Sequence, residues 1–318
     1  MKMFQFSGAC PNFGDDLNGW LWPRLIPDLL DEDAAVRFLG IGSILYDTFD
    51  PAALKVVFGA GFGVYTQPPR IDASWFVYFV RGPRTACALG LDRRLGLGDS
   101  ATLIRAAMPG TVSKRYRFSF MPHWESMVYG AWAEAAAQAG LHLIDARWPV
   151  DTVLDHILAS DVLICEAMHG AIVADALRIP WIAVQPLMRI NQPKWLDWGD
   201  SLGLDVRMAE LRPSTWLEQA RQRLESNRNR LRWASYHGRK LGGRLNVFWT
   251  RDAARALADA ALHEPQLSAD AAIERATEAM LDHLRALQTG RHLMTPQQVR
   301  PPPADWEQMP HSPAYPVP

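Results

Sequence analysis

The chain has 318 residues, of which 48% are hydrophobic and 21% charged, and its formal net charge is −1. This balance is typical of a globular protein and gives no bulk attraction to nucleic acid. The three cysteines, Cys10, Cys87 and Cys165, form no CxxC pattern, so the sequence predicts neither a zinc site nor a disulfide framework and favours a reducing compartment. The amino terminus lacks a signal peptide's apolar core, and no apolar run of about 18 residues predicts a membrane-spanning helix.

The first part of the chain predicts strands followed by turn-rich loops. Strands are expected over 2–6, 36–39, 55–58 and 75–80. Glycine-rich segments follow the second and third strands, but neither completes GxGxxG, so the dinucleotide fingerprint is absent. The glycines instead indicate close approach of the backbone to a ligand or to a facing element. Four strand–helix steps therefore predict one Rossmann-like domain over 1–114.

Candidate ligand-binding residues follow these strands, at the sheet edge where open α/β folds bind ligands. The loop after the first strand contributes Asn12, Gly14 and Asp15, although a turn with a helix cap explains the same residues. Arg81 ends the fourth strand beside the start of a helix. It suits a clamp for phosphate or carboxylate, with a surface salt bridge as the alternative.

The second part of the chain predicts another Rossmann-like domain over 115–262. Strands are expected over 116–120, 141–144, 161–165 and 181–184, and helices over 127–139, 152–158, 170–177, 213–239 and 246–261. The segment from 160 to 184 predicts a β-α-β unit, because two parallel strands need a crossover between them. A helix over 268–287 lies in a C-terminal helical segment, 263–299. Residues 300–318 are proline-rich and predicted to be disordered.

Candidate site residues in this domain also follow strands. Glu166 and His169 lie between a strand's carboxyl end and the next helix, where a histidine can bind an anion or donate a proton. A histidine that only caps or lines the turn is the alternative. His123 lies in the loop after the strand at 116–120. Arg189 and Lys194 follow the strand at 181–184, where they bind a second anionic group or are simply solvated.

Three short segments resemble those of a known family. They are NFGDDLN at 12–18, VRGPRT at 80–85 and EAMHGAIVADAL at 166–177. Together they resemble the polysaccharide pyruvyl transferases, and among these the ketal-pyruvate transferases of succinoglycan and xanthan type. The resemblance covers roughly the first 250 residues. It implies a GT-B-like fold, with two Rossmann-like domains facing across a cleft, phosphoenolpyruvate as donor and a sugar diol on a lipid-linked oligosaccharide as acceptor.

The resemblance also implies roles for single residues. His169 has the position of the family's motif histidine and would be a donor ligand or general acid, Arg81 would hold the donor's phosphate or carboxylate, and Asn12 and Asp15 fall in the family's amino-terminal loop.

One departure concerns the motif itself. Many members have Ser-x-Arg-Leu-His, whereas this chain reads Cys-Glu-Ala-Met-His over 165–169, so Ala167 stands in place of the motif arginine. A second cation is expected to replace it, and Arg189 and Lys194 are the candidates.

The expected reaction needs an acid, an anion clamp and a base. His169 is the expected acid or phosphate ligand, Arg81 the clamp, and Asp15 or Glu166 the base. No metal is expected, since no DxD-type pair ends a strand and no metal-ligand spacing stands out. No cofactor is expected beside the co-substrate phosphoenolpyruvate. The protein is expected in the cytoplasm, and both peripheral contact with the inner face of the plasma membrane and homo-oligomerisation are left open.

Two other functions are compatible with the sequence. A GT-B-type glycosyltransferase would bind a nucleotide-sugar, with Glu166 as the acidic residue for its ribose. A non-catalytic partner in an export complex would use the basic segment from Arg221 to Arg232 and the proline-rich tail as docking surfaces.

Overall fold

The computed structural model of the chain describes residues 1–290, apart from 9, 64, 109, 111, 186–191 and 224–245. The chain divides into two compact units. The N-terminal unit comprises Met1–Gly110, Ile190–Val206 and the chain from Ser268 onward, and the C-terminal unit comprises Thr111–Arg189 and Arg207–Leu267. This division differs from the predicted continuous second domain, because the helix at 192–202 and the helix at 270–288 belong to the N-terminal unit.

The described elements form a mixed α/β protein with two parallel sheets. The strands are β1 (Lys2–Met3), β2 (Val36–Leu39), β3 (Leu54–Phe58), β4 (Trp75–Phe79), β5 (Tyr116–Met121), β6 (His142–Leu143), β7 (Ser160–Cys165), β8 (Trp181–Val184) and β9 (Met208–Ala209). The helices are α1 (Phe13–Leu25), α2 (Pro83–Ala88), α3 (Ile104–Ala107), α4 (Trp124–Tyr129), α5 (Trp132–Gln138), α6 (Val150–Leu158), α7 (Met168–Ala176), α8 (Gln192–Leu202), α9 (Trp216–Arg223), α10 (Asn246–Ala260) and α11 (Asp270–Gln288).

The N-terminal unit is built on a four-stranded parallel sheet in the order β1-β2-β3-β4. Its strands are apolar at nearly every position, as expected for a sheet covered on both faces. Phe38, Val57 and Phe79 are at most 1% exposed. Since all four strands are parallel, the loops that follow them lie at one carboxyl edge.

The prediction of four strand–helix steps in this unit is wrong in part. Helices α1 and α2 follow β1 and β4, but the described residues between β2 and β3 and between β3 and β4 contain no helix. These two links carry five glycines and three prolines between residues 40 and 69, and both residue types disfavour helix.

The C-terminal unit is built on a five-stranded parallel sheet in the order β6-β5-β7-β8-β9. The predicted β-α-β unit is confirmed: β7, α7 and β8 follow one another, and β7 pairs with β8 in parallel. Helix α7 ends at Ala176, and Arg178 then adopts a left-handed φ of 60° before Pro180. The core of this unit packs Phe120, Trp132 and Ile164 against α10.

One helix predicted over 127–139 is two helices in the structure. Helices α4 and α5 are separated at Gly130, whose added Cβ would lie 2.4 Å from Glu218 Oε1. Burial raises the pKa of the Glu218 carboxyl, which accepts hydrogen bonds from the Trp132 indole and from the Ser214 backbone and hydroxyl. The chain therefore bends at Gly130 to admit this buried carboxylate.

Two predicted features extend beyond the described residues. Only Trp216–Arg223 of the helix predicted over 213–239 is described, so most of the basic segment lies outside, as do residues 300–318. None of the described helices is both long and apolar enough to cross a lipid bilayer.

Candidate active-site residues

The loop after β1 brings Asn12 and Asp15 together at the start of α1. The Asn12 side-chain amide donates a hydrogen bond to Asp15 Oδ2 at 2.7 Å, and the Asn12 carbonyl accepts from the Asp15 N–H. Gly14 is buried in the first turn of the helix. Asn12 thus uses its amide to hold the Asp15 carboxylate rather than to cap the helix. The ligand-binding roles of Asn12, Gly14 and Asp15 stay predictions.

Asn18 fixes this helix to the loop after β2. Its side-chain oxygen accepts from the Ile41 N–H at 2.8 Å and the Trp22 indole N–H at 3.0 Å, and its amide donates to the carbonyls of Ile41 and Asp15. Asn18 is 1% exposed, so all four of its possible hydrogen bonds are made inside the protein. The helix that carries Asp15 is therefore held rigidly at the sheet edge.

The glycine-rich loops after β2 and β3 make room for side chains of the same unit. An added Cβ at Gly61 would lie 2.2 Å from the guanidinium carbon of Arg81, and one at Gly63 would lie 2.6 Å from the Tyr65 ring and 2.8 Å from Ser43 Cβ. These glycines allow close approach of facing elements, which was one of the two predicted explanations.

Arg81 is buried and bonded to the protein itself. It is 1% exposed, and its Nε, Nη1 and Nη2 donate to Asp197 Oδ2 at 3.0 Å, Ser43 Oγ at 2.7 Å and the Phe62 carbonyl at 3.0 Å. A charged group this deeply buried needs such a partner. Its role as a donor clamp stays a prediction, which this geometry does not favour.

Asp197, on α8, occupies the anion-binding position at the start of α2. Its Oδ1 accepts from the backbone N–H groups of Arg84 at 2.9 Å and Thr85 at 3.0 Å, and its Oδ2 also accepts from the Thr85 hydroxyl at 2.6 Å. With Arg81, these are four donors to a carboxylate that is 2% exposed. A carboxylate of the chain therefore fills the site that the sequence assigned to a ligand anion.

Lys194 lies on the same helix and reaches the loop after β3. Its ammonium contacts the Tyr65 hydroxyl and stands 4.3 Å from the centre of the Tyr65 ring. Tyr46 is close by: its hydroxyl has a raised pKa, first because it is buried and then because of the charges of Tyr65 and Asp15. Asp15 and Tyr65, the partner of Lys194, therefore both act electrostatically on Tyr46.

In the C-terminal unit, Glu166 holds the loop that carries His123. The two loops are adjacent because β5 pairs with β7 and Met121 lies opposite Cys165. Glu166 is 3% exposed; its Oε2 accepts from the His123 backbone N–H at 2.8 Å and its Oε1 from the Ser126 hydroxyl at 2.8 Å. Glu166 therefore supports the start of α4.

His169 is the second residue of α7 and is half-buried. An added Cβ at the following Gly170 would lie 2.6 Å from the sulfur of Met121, so α7 begins close against the end of β5. The structure thereby brings the segments of His123, Glu166 and His169 to one edge of the five-stranded sheet.

Two predictions about the site stay open. Arg189 lies outside the described residues. Arg81 belongs to the N-terminal unit and His169 to the C-terminal unit, so their convergence on one donor stays a prediction. Across the part of the chain that the structure describes, no group of three or more His, Cys, Asp and Glu side chains could hold a metal ion.

Comparison with known proteins gives one informative relative. No family model and no solved structure match the chain. Over 222 residues the chain is 39% identical to the succinoglycan biosynthesis protein ExoV of Rhizobium meliloti (strain 1021). The aligned region covers 69% of this chain and 70% of the relative. The chain belongs to the polysaccharide pyruvyl transferase family. For this polysaccharide pyruvyl transferase, the assignment of His169 as the motif histidine of the segment at 166–177 stays a prediction.

Sequence reasoning assigned no role to three residues that shape the edge of the N-terminal unit in this polysaccharide pyruvyl transferase. They are Asn18, Tyr65 and Asp197. Asn18 had a local signal, since it lies three residues after Asp15 on the same side of α1. Asp197 had none, because its partners lie more than 110 residues away in the sequence.

Proposed function

We propose that the chain transfers pyruvate from phosphoenolpyruvate to a sugar diol of a lipid-linked exopolysaccharide repeat unit and forms a ketal. Membership of the polysaccharide pyruvyl transferase family and a relative named for succinoglycan biosynthesis support this proposal. The observation that carries it is the position of His169, the motif histidine, at the carboxyl edge of the parallel sheet beside the loop of His123.

The reaction balances without a further reactant. A proton added to the methylene carbon of phosphoenolpyruvate makes the neighbouring carbon electrophilic, and one sugar hydroxyl adds there and gives its proton to a base. The bond from that carbon to the phosphate oxygen breaks, the second hydroxyl adds to the same carbon, and its proton goes to the departing phosphate. The products are the cyclic ketal and inorganic phosphate, and the catalyst must supply an acid, a base and a clamp for the anion.

The structure suggests which residues take these parts. His169 is the proposed proton donor or phosphate ligand, and Asp15, whose carboxylate is held by the Asn12 amide, is the proposed base. Glu166 suits the base less well, because it is buried and accepts two hydrogen bonds from α4 and the residue before it. Lys194 is the proposed cation for the donor. A GT-B-like arrangement, as the resemblance implies, is part of the proposal.

The nucleotide-sugar alternative depended on Glu166 as a ribose ligand. The contacts of this carboxylate give it a structural task in the C-terminal unit, and no other described contact favours a nucleotide. Thermal-shift measurements with phosphoenolpyruvate and with UDP- and GDP-sugars compare the two functions directly. We expect stabilisation by phosphoenolpyruvate only.

The deciding experiment incubates the purified protein with phosphoenolpyruvate, labelled in its pyruvyl carbons, and a lipid-linked oligosaccharide extract. We expect release of inorganic phosphate together with acid-labile label in the lipid fraction. His169→Ala should lower the rate about 100-fold or more, the usual effect of losing a general acid. His263→Ala, at an exposed histidine of the same unit, is the matched control. Near-normal ketal formation by His169→Ala would remove the proposed role of this histidine.

A further inference from the structure

Helix α8 belongs to the N-terminal unit although the chain on both sides of it belongs to the C-terminal unit. Because the neighbouring chain belongs to the other unit, contacts made by α8 itself must hold it in the N-terminal unit. It lies close to Gly82, where an added Cβ would be 2.0 Å from the carbonyl oxygen of Asp197. The backbone of α8 therefore packs directly on the backbone that begins α2.

The Asp197 side chain provides the anchor. It accepts from the Arg81 guanidinium, from the Thr85 hydroxyl and from two backbone N–H groups of α2, all within 3.0 Å. Asp200, one turn further along, pairs with the Arg84 guanidinium at 2.7 Å, but both side chains are more than a third exposed. Buried, charge-assisted hydrogen bonds fix geometry much better than an exposed ion pair, so Asp197 is the stronger of these two polar anchors of α8.

Lys194 lies three residues before Asp197, on the same side of α8. Once Asp197 is bound to α2, Lys194 is held over the loop after β3, where its ammonium meets Tyr65. The Tyr65 ring lies against Gly63 and near Ser43, and Ser43 accepts from Arg81. Asp197 and the Lys194–Tyr65 pair are therefore connected through the loops that follow β2 and β3.

We propose that Asp197 is a positioning residue that fixes Lys194 and Tyr65 as a binding site for an anionic group of the donor, its carboxylate or its phosphate. The ammonium and the phenol both donate hydrogen bonds, and a lysine is a compact charge suited to such anions. This inference rests on the proposed function for the identity of the ligand. The positioning itself does not depend on catalysis.

The positioning is tested by chemical labelling. Thr85→Val removes the 2.6 Å hydrogen bond to Asp197 and the 3.1 Å hydrogen bond that the Thr85 hydroxyl accepts from the Phe62 N–H, and it leaves both charged groups in place. Acetylation of Lys194 by acetic anhydride, followed by mass spectrometry, should become several-fold faster in this variant than in the wild type. Thr85→Ser keeps a hydroxyl for both bonds and should restore the wild-type labelling of Lys194. Lys2 in the same digest is the internal reference, and Ser74→Ala, before the amino end of β4, is the matched hydroxyl deletion. Equal labelling of Lys194 in all four proteins would overturn the positioning.

The ligand is tested by kinetics. Lys194→Met should raise KM for phosphoenolpyruvate about 10-fold or more with a smaller change in kcat, whereas Lys2→Met should change neither. Thr85→Val should raise KM a few-fold in the wild-type background and leave it unchanged when Lys194 is already Met, because a residue that acts through another shows a non-additive effect. Additive effects would overturn the inference.

The outcomes separate this inference from the proposed function. A wild-type protein that neither binds phosphoenolpyruvate in calorimetry nor releases phosphate contradicts the proposed function and the ligand together, and faster Lys194 acetylation in Thr85→Val would then still support the positioning. An active wild type with an unchanged KM in Lys194→Met contradicts the ligand assignment alone.

Discussion

Replacing Asp197 by Asn should strongly destabilise the N-terminal unit. The Asn side-chain oxygen can still accept from the two backbone N–H groups of α2, but its NH₂ group then faces the Nε–H of Arg81. Because Arg81 is 1% exposed, its charge would stay buried without a counter-ion.

The magnitude follows from this burial. Removing one partner of a buried ion pair costs about 3–5 kcal/mol, a large part of the roughly 5–15 kcal/mol by which a domain is stable. The matched control is Asp200→Asn on the same helix. Asp200 pairs with Arg84, and the two side chains are 35% and 39% exposed, so the loss should be at most about 1 kcal/mol.

The assay is urea unfolding followed by tryptophan fluorescence. Trp195 and Trp198 flank Asp197 and are fully buried, so the exposure of α8 contributes to the signal of the 13 tryptophans. Replacing Arg81 and Asp197 together by Met and Leu should recover much of the loss, because no uncompensated charge then remains. If Asp197→Asn costs no more than Asp200→Asn, the reasoning about this buried pair is wrong.

Three further predictions concern stability. Gly61→Ala should lower the free energy of unfolding by about 2 kcal/mol or more, because the added methyl lies 2.2 Å from the Arg81 guanidinium; an unchanged urea midpoint would contradict this. Gly19→Ala, at an exposed position within α1, should raise it by about 0.5–1 kcal/mol in the same assay. Burial and the neighbouring His156 lower the pKa of His142 below the value of about 6.5 expected in the unfolded chain. The unfolded chain therefore binds more protons at this residue, and the stability decreases as the pH is lowered. His142→Phe should therefore flatten the loss of thermal stability between about pH 7 and pH 5, and parallel curves for the two proteins would refute this reasoning.

The parts of the fold that depend on local sequence could be predicted. The unit from Ser160 to Val184 was predicted correctly because two apolar runs, a helix of small residues and a proline stop all lie within 25 residues. The links after β2 and β3 were predicted as strand–helix steps, and the structure has no helix in their described residues. The strand pattern predicts the sheet, but it does not determine whether the chain between two strands forms a helix.

The candidate site, too, could be predicted only where it depends on local sequence. His123, Glu166 and His169 could be placed at one sheet edge because each follows a strand, and neighbouring parallel strands end together. The burial of Arg81 could not be predicted, since its counter-ion comes from a helix 116 residues later. An arginine at a strand end has the same sequence pattern whether its anion is a ligand or a distant aspartate.

The route of the chain has a consequence for synthesis on the ribosome. All four strands of the first sheet are translated before residue 110, but the carboxylate that neutralises Arg81 arrives only with residue 197, and α11 follows after residue 268. A nascent chain that ends at residue 110 would have to bury the Arg81 guanidinium without its counter-ion in order to pack its sheet. The N-terminal unit is therefore unable to finish folding on its own. It needs segments that are translated after most of the C-terminal unit.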